Sequence, residues 1–407
     1  MVDVSKYMPR MLVGKELDDA MKVFPEYDSK IREKSVTERL IALQDIYRLY
    51  IPSQMTREIY SKVYFSILRS LQKKQSILAV RQHGENSKMI RQQSYESIIG
   101  GADSFLIIGD SGIGKSSAIS RAVNILLEEP VWDTGYSKII PALLVQTPAD
   151  ASIKGLLLEV LRKVDEVLGT RYHDNAVRSR STTDMLIGTV NQVSLNHIGL
   201  LITDEIQNVV TNKNGRNLIG TFSQLINSSG ISLAMLGTNI SSPFFESEMM
   251  LARRSLGLNY SAMQYDDEFR VFCKIILTYL YVKEDVEINE ELILWLYNHS
   301  LGNASVLMSL IHDSQEIAIM EGIEKLTVST LNMAYEKRLF MLHNYIYTEP
   351  KKASTVKKKK EQLPNMRENV NTENSSILEI SKKAKELGKD IVSELRKNGI
   401  QILEVDI

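Results

Sequence analysis

The stretch that most constrains this chain is Gly109-Asp110-Ser111-Gly112-Ile113-Gly114-Lys115-Ser116. It follows the apolar run Phe105-Leu106-Ile107-Ile108 and precedes a helical pattern over Ser117 to Leu127. The spacing is G-x-x-x-x-G-K-S in a strand–loop–helix context, which is the pattern of a phosphate-binding P-loop. Glycines let the backbone turn tightly enough for successive N–H groups to point inward at phosphate oxygens. The following helix adds unpaired N–H groups and the positive end of its dipole. On this reading Gly109, Asp110, Ser111, Gly112, Ile113, Gly114, Lys115, Ser116 and Ser117 cradle a nucleotide. Lys115 reaches the outer phosphates, and the Ser116 hydroxyl holds Mg2+.

Downstream, short apolar runs alternate with helical patterns. Phe105–Ile108, Ile139–Gln146, Gly199–Thr203 and Ser232–Gly237 read as strands, which predicts a mostly parallel sheet flanked by helices. Two of these runs end in chemistry. Leu200-Leu201-Ile202-Thr203 finishes in Asp204-Glu205; Asp204 at a strand tip suits a metal ion, and Glu205 beside it suits the polarisation of an attacking water. Leu233-Ala234-Met235-Leu236-Gly237 finishes in Thr238-Asn239, polar groups at the sheet edge where ligands bind in such folds. Either Thr238 or Asn239 is placed to orient that water or to sense the outermost phosphate.

The flanks read differently. Residues 1 to about 35 form a mixed polar arm. From Val36 to about Gln75 the pattern is helical, broken at Ile51-Pro52-Ser53, with Ser53 a cap for a helix over Met55–Leu71. The basic residues Arg69, Lys73, Lys74, Arg81, Lys88 and Arg91 fit a solvated helix face or a phosphate-contacting surface. A more helical section from Asp266 to about Tyr345 predicts a small lid. Past Pro350 the lysines crowd (Lys351, Lys352, Lys357 to Lys360) into a segment with little apolar content, which reads as a disordered linker before a last helical pattern, Ile377–Leu395.

Lys+Arg of 49 against Asp+Glu of 50 in 407 residues gives a net charge of −1, so any nucleic-acid contact must be local. A single cysteine, Cys273, excludes an intrachain disulfide and a cysteine-rich zinc site. The six histidines show no H-E-x-x-H spacing, and there is no G-x-S-x-G nucleophile elbow. No apolar run reaches membrane-spanning length and no signal pattern opens the chain, so a cytoplasmic protein with no membrane partner is expected.

Together these stretches resemble the AAA+ class of ATPases, and within it the TnsC/TniB regulators of transposition. The resemblance rests on the P-loop, on Leu201-Ile202-Thr203-Asp204-Glu205-Ile206-Gln207-Asn208, and on the Gly237-Thr238-Asn239 strand end. Leu144-Val145-Gln146-Thr147-Pro148, Lys154-Gly155-Leu156-Leu157 and Leu168-Gly169-Thr170-Arg171-Tyr172 add to it, over roughly residues 40 to 340. It implies a P-loop AAA+ (ASCE) fold: a parallel sheet flanked by helices, a helical N-terminal extension and a small helical lid. The implied boundaries are 1–100 for arm and extension, 101–265 for the ATPase core and 266–348 for the lid. A lysine-rich linker would span 349–376 and a docking helix 377–407.

The resemblance further implies ATP and Mg2+ as cofactors, with Lys115, Glu205 and Asn239 catalytic and Ser116 and Asp204 on the metal. An arginine from a neighbouring subunit, either Arg253 or Arg254, would act in trans. It implies a ring or helical filament (hexamer or heptamer) around double-stranded DNA, with Lys154, Lys213 and Arg216 on the backbone. The implied protein partners are a TniQ/TnsD-type target selector, a TnsB-type transposase and a TnsA-type endonuclease, in a bacterial, nucleoid-associated setting. One departure stands out: Leu301-Gly302-Asn303-Ala304-Ser305 lacks the arginine that many AAA+ lids carry, which implies slow hydrolysis. Two other readings remain open: a replication-initiator or helicase-loader relative, and a nucleotide-gated oligomeric scaffold that ignores DNA.

Overall fold

Residues 105 to 108 alternate between two cores, and that alternation organises the sheet. In the computed structural model, which describes residues 7–86, 104–127, 129–134, 137–208, 215–242 and 255–343, all within the first of two units (Met1–Thr348), β1 spans Ser104–Gly109. Phe105 and Ile107 point to one face and Leu106 and Ile108 to the other. A strand buried on both sides reads as an unbroken apolar run, which is why β1 is legible in the sequence.

In chain order the helices are α1 (Gly14–Met21), α2 (Val36–Leu43), α3 (Gln54–Asn86) and α4 (Lys115–Leu126). Then come α5 (Ile153–Leu168), α6 (Tyr172–Arg178), α7 (Thr183–His197) and α8 (Gly215–Ser229). The lid holds α9 (Asp267–Ile276), α10 (Glu290–Ser300), α11 (Ala304–Met320) and α12 (Val328–Arg338). The strands after β1 are β2 (Trp132–Asp133), β3 (Lys138–Gln146), β4 (Ile198–Asp204), β5 (Ser232–Gly237) and β6 (Ser255–Tyr260). Among the described residues they form one six-stranded sheet in the order β2-β3-β4-β5-β1-β6. Only the β2–β3 pair is antiparallel. The fold is therefore the expected α/β sheet flanked by helices. The sequence reading missed β2 and β6, which are the two edge strands. β6 carries Asn259 and Tyr260 and pairs with β1 alone, so its apolar signal is weak.

One face of the sheet packs on α5, α7 and α8, through Leu156, Val160, Leu161, Val190, Phe222 and Leu225. The other packs on α3 and α4, through Ile59, Val63, Ile67, Ile119 and Ala122. Each of the Leu, Ile, Val and Phe side chains among these, taken fully out of water, contributes roughly 1.5–3 kcal/mol. The third core belongs to the lid, around Phe269, Ile276, Leu296, Leu307 and Ile311.

The N-terminal arm is built into two of these cores. Leu17 and Met21 of α1 join the α3–α4 core, and Arg121 of α4 donates to the carbonyls of Ala20 and Met21. After an isolated bridge between Val23 and Tyr50, the chain enters the lid core, to which α2 and the turn after it contribute Leu43 and Ile46. Arg39, 1% exposed, donates to both carboxylate oxygens of Glu324 (2.6 and 2.7 Å) and to the Tyr281 carbonyl (3.1 Å). The arginine holds the Glu324 carboxyl below its ordinary value by these hydrogen bonds. Gln44 Nε2 lies 3.0 Å from Nε2 of the buried His312, whose Nδ1 lies 2.8 Å from Asp313.

The helical pattern after Ser53 runs further than expected. Thr56 N–H donates to Ser53 Oγ (3.4 Å), as a cap should, but α3 continues to Asn86. Lys73 and Lys74 are neither solvated nor presented on a surface: both are buried. Lys74 Nζ donates to the Ser194 carbonyl near the C-terminus of α7, and burial pushes its pKa down to about 7. The helical period places Lys74 on the same stripe as Ile67 and Leu71, and the composition gives no hint of that.

Candidate active site

Parallel strands end on one edge, so the tips of β1, β4 and β5 meet there. β5 lies between β1 and β4, so the residues after it face both the P-loop and the Asp204-Glu205 step. The P-loop leaves β1 at Gly109, takes φ +83° at Gly112 and +95° at Gly114, and enters α4 at Lys115.

Lys115 is buried, and its ammonium donates to the loop's own carbonyls, Gly109 O (2.9 Å) and Asp110 O (2.7 Å). Burial lowers its pKa, and the nearby carboxylates of Asp204, Asp110 and Glu205 oppose that shift. Ser116 Oγ donates to Asp204 Oδ2 at 2.7 Å, although the two residues are 88 apart in sequence. A hydroxyl and a carboxylate side by side are hard oxygen donors, the chemistry that Mg2+ takes while keeping several waters. The residues present therefore fit the ion.

Glu205 adopts φ +58°, a left-handed conformation uncommon for a residue with a side chain. The turn is over-determined. Its N–H donates to Asp204 Oδ1 (2.8 Å), and Ile206 N–H donates to Leu236 O of β5 (2.8 Å). Asn208 Nδ2 reaches Thr147 O (3.0 Å), fixing the neighbouring strand end. The exposed Glu205 carboxylate accepts from Gln207 Nε2. Asn239, in the short turn Asn239–Ser241, donates from Nδ2 to Asp110 Oδ1 at 2.6 Å. Thr238 Oγ is buried and has no hydrogen-bond partner among the described residues.

The lid completes the edge. Asn303 Nδ2 donates to Ser111 O (2.7 Å), and Ser305 N–H donates to Gly112 O (3.1 Å). The turn that delivers them, Leu301-Gly302, packs so closely that a Cβ on Gly302 would stand 1.9 Å from Met263 O. The structure thus brings Lys115, Ser116, Asp204, Glu205, Thr238 and Asn239 to one edge. It adds Asn303, which the sequence singled out only for the arginine it is not. The signal available was a helix-capping residue after a Leu-Gly turn; that the cap meets the P-loop was not visible.

Lys154 is exposed in the first turn of α5. Arg216 lies on α8 with its side chain outside the described residues, and Lys213, Arg253, Arg254 and the segments expected to be a linker (349–376) and a docking helix (377–407) also lie outside them. Residues 99–256, which contain the P-loop, Asp204-Glu205 and Thr238-Asn239, match the family described as bacterial TniB protein. The similarity to the TniB family thus falls on the segment that carries the nucleotide-site motifs. No curated protein sequence matches the chain. Among solved structures it is similar to the ADP form of the Aeropyrum pernix ORC2 protein (13% identity, 72% of each chain, TM-score 0.47). It is also similar to the Aeropyrum pernix ORC1 protein in complex with DNA (13% identity, 94% of this chain and 86% of that, TM-score 0.43). A third, Cdc6p from Pyrobaculum aerophilum, shares 11% identity over 57% of this chain and 60% of that, with TM-score 0.42. The TniB-family match ends at Leu256, within β6, so the lid and the N-terminal arm lie outside the matched segment.

Proposed function

We propose that this TniB-family ATPase is a regulator of transposition that assembles with ATP on double-stranded DNA. In this reading it links a TniQ/TnsD-type selector to a TnsB-type transposase, and in some systems a TnsA-type endonuclease, and hydrolysis resets it. The observation that carries the reading is the coincidence of the TniB match with the segment that holds the P-loop, Asp204-Glu205 and Asn239. A cytoplasmic, nucleoid-associated location follows from that role; among the described residues no helix is long and apolar enough to cross a membrane.

Each residue has a part. P-loop N–H groups from Gly109 to Ser117 take the phosphates, and Lys115 exchanges its contacts with Gly109 O and Asp110 O for phosphate oxygens. Ser116 and Asp204 would hold Mg2+, which supplies charge neutralisation on the phosphates when bound. Glu205 accepts a proton from the attacking water, and its release from Gln207 frees it to do so. Asn239 ties Asp110 to the tip of β5, and Thr238 Oγ offers a further donor at the same edge. Arg253 or Arg254 acts in trans on the next subunit's site.

DNA contact is assigned to the segments after Pro148 and Asn208; Asn208 Nδ2 donates to Thr147 O, which brings their starting points together. Lys154, Lys213 and Arg216 are the backbone contacts there, sequence-independent and salt-sensitive. The test is fluorescence anisotropy of an arbitrary-sequence duplex with a slowly hydrolysed ATP analogue and then with ADP. Tight, cooperative binding with the analogue alone supports the reading. An absence of binding in both states overturns it in favour of a nucleotide-gated scaffold.

A further inference from the structure

Asn303 makes two kinds of contact at once. Its Oδ1 accepts from the N–H groups of Ser305 (3.1 Å) and Val306 (3.3 Å), capping α11. Its Nδ2 donates to Ser111 O at 2.7 Å. The amide orientation is forced, because turning it over would set NH2 against two N–H donors and oxygen against a carbonyl. Next to it, Ser305 N–H also donates to Gly112 O. Glycine suits both the backbone and the approach: Gly112 has φ +83°, and a Cβ on it would lie 2.7 Å from Asn303 Oδ1.

What these two contacts hold is peptide-plane orientation. In a trans peptide the carbonyl of one residue and the N–H of the next point in opposite directions. Fixing Ser111 O toward the lid therefore aims Gly112 N–H away from it, and fixing Gly112 O aims Ile113 N–H away. These are donors in the middle of the P-loop. A carbonyl that accepts a hydrogen bond also polarises its peptide, strengthening the N–H on the far side. Residues Leu301 to Ser305 bring no cation to the loop, so this link acts on the loop's backbone.

We propose that Asn303 is a positioning residue that couples the lid to nucleotide binding by setting the direction of the P-loop N–H donors. The proposal rests on the nucleotide-site reading above. It predicts an effect on ground-state binding of the phosphates more than on the chemical step. It also separates capping from positioning, because a serine can cap α11 but is too short to reach Ser111 O.

The experiment compares full-length wild type with Asn303→Ser, Asn303→Asp and Lys115→Ala. The readouts are melting temperature without nucleotide, Mg2+-ADP affinity, and KM and kcat for ATP. For Asn303→Ser the melting temperature is expected to stay close to wild type. The ADP dissociation constant and KM should rise about fivefold, the size of one net hydrogen bond, with kcat within about twofold. Asn303→Asp keeps the cap but turns a carboxylate on Ser111 O, and its rise should be at least as large. Wild-type affinity and KM in both variants would overturn the proposal. If Lys115→Ala still binds nucleotide normally, the P-loop reading itself falls. If it does not, and Asn303→Ser is indistinguishable from wild type, only the role of Asn303 falls.

Discussion

Asn239 reaches the P-loop from the tip of a buried strand, Asn303 from the N-cap of a lid helix, and the two grips differ in what backs them. Behind Asn239 stands β5, buried along its whole length and paired on both sides with β1 and β4. Behind Asn303 stand two consecutive left-handed residues, Leu301 (φ +49°) and Gly302 (φ +73°), and a lid whose core is shared with the N-terminal arm. The strand-tip grip is fixed by the sheet. The lid grip is only as good as contacts made by Arg39 and Tyr27, more than 240 residues away in sequence. One side of the site is thus part of the scaffold, and the other is set by a body that is positioned separately.

The largest expected effect removes what both grips serve. Lys115→Ala should abolish ATP binding, measured by titration with a fluorescent ATP analogue; retained affinity would dissolve the comparison altogether. Next, Glu205→Gln should keep ATP binding while hydrolysis falls about 10²–10⁴-fold, read in single-turnover assays. A mutant that turned over normally would remove the strand-tip side from the chemistry.

The lid side is probed through its anchor. Arg39→Met removes the two charged hydrogen bonds to Glu324, leaving it the Lys283 ammonium at 3.7 Å, and should cost about 2 kcal/mol in denaturant unfolding. The pair also sets an acid dependence: Glu324 has a folded pKa below its unfolded one, so the stability it adds is present above the unfolded value and lost as pH falls through the folded one. That acid-side loss should shrink in Arg39→Met. As a control away from both grips, Lys74→Met should stabilise the chain by about 2 kcal/mol at pH 6. A lysine whose folded pKa is lowered to about 7 costs most below that value. The gain should therefore fade between pH 7 and 10.5, where the unfolded lysine also loses its proton. A gain that is independent of pH would contradict the burial of a charge there. The smallest effect separates the two asparagines. Asn239→Ala should lower kcat about tenfold with KM little changed, the reverse of the pattern expected for Asn303→Ser. Identical kinetic signatures would show that the two grips are one.

Where the sequence was legible, the physics was local. Gly109 to Ser116 is contiguous, and a phosphate cradle needs a particular run of small residues at fixed spacing. The strands β1, β4 and β5 are buried on both faces and so spell themselves as apolar runs that end abruptly in Asp204-Glu205 or Thr238-Asn239. Edge strands β2 and β6, half-covered, did not. Nor did the burial of Lys73 and Lys74, because two lysines in a basic stretch look the same whether their helix faces water there or packs on protein.

The sequence by itself determined that a nucleotide site stands at the tips of parallel strands, because those motifs carry their geometry in their own spacing. Its more helical pattern from Asp266 onward also marked the section that forms α9 to α12. Only the tertiary structure decided which residues meet: that Ser116 touches Asp204, that Asn239 holds Asp110, and that the cap of α11 holds Ser111. Those contacts join residues 88, 129 and 192 positions apart. Their pairing is set by how the sheet, the arm and the lid pack together, and packing is a property of the whole chain that no short spacing encodes.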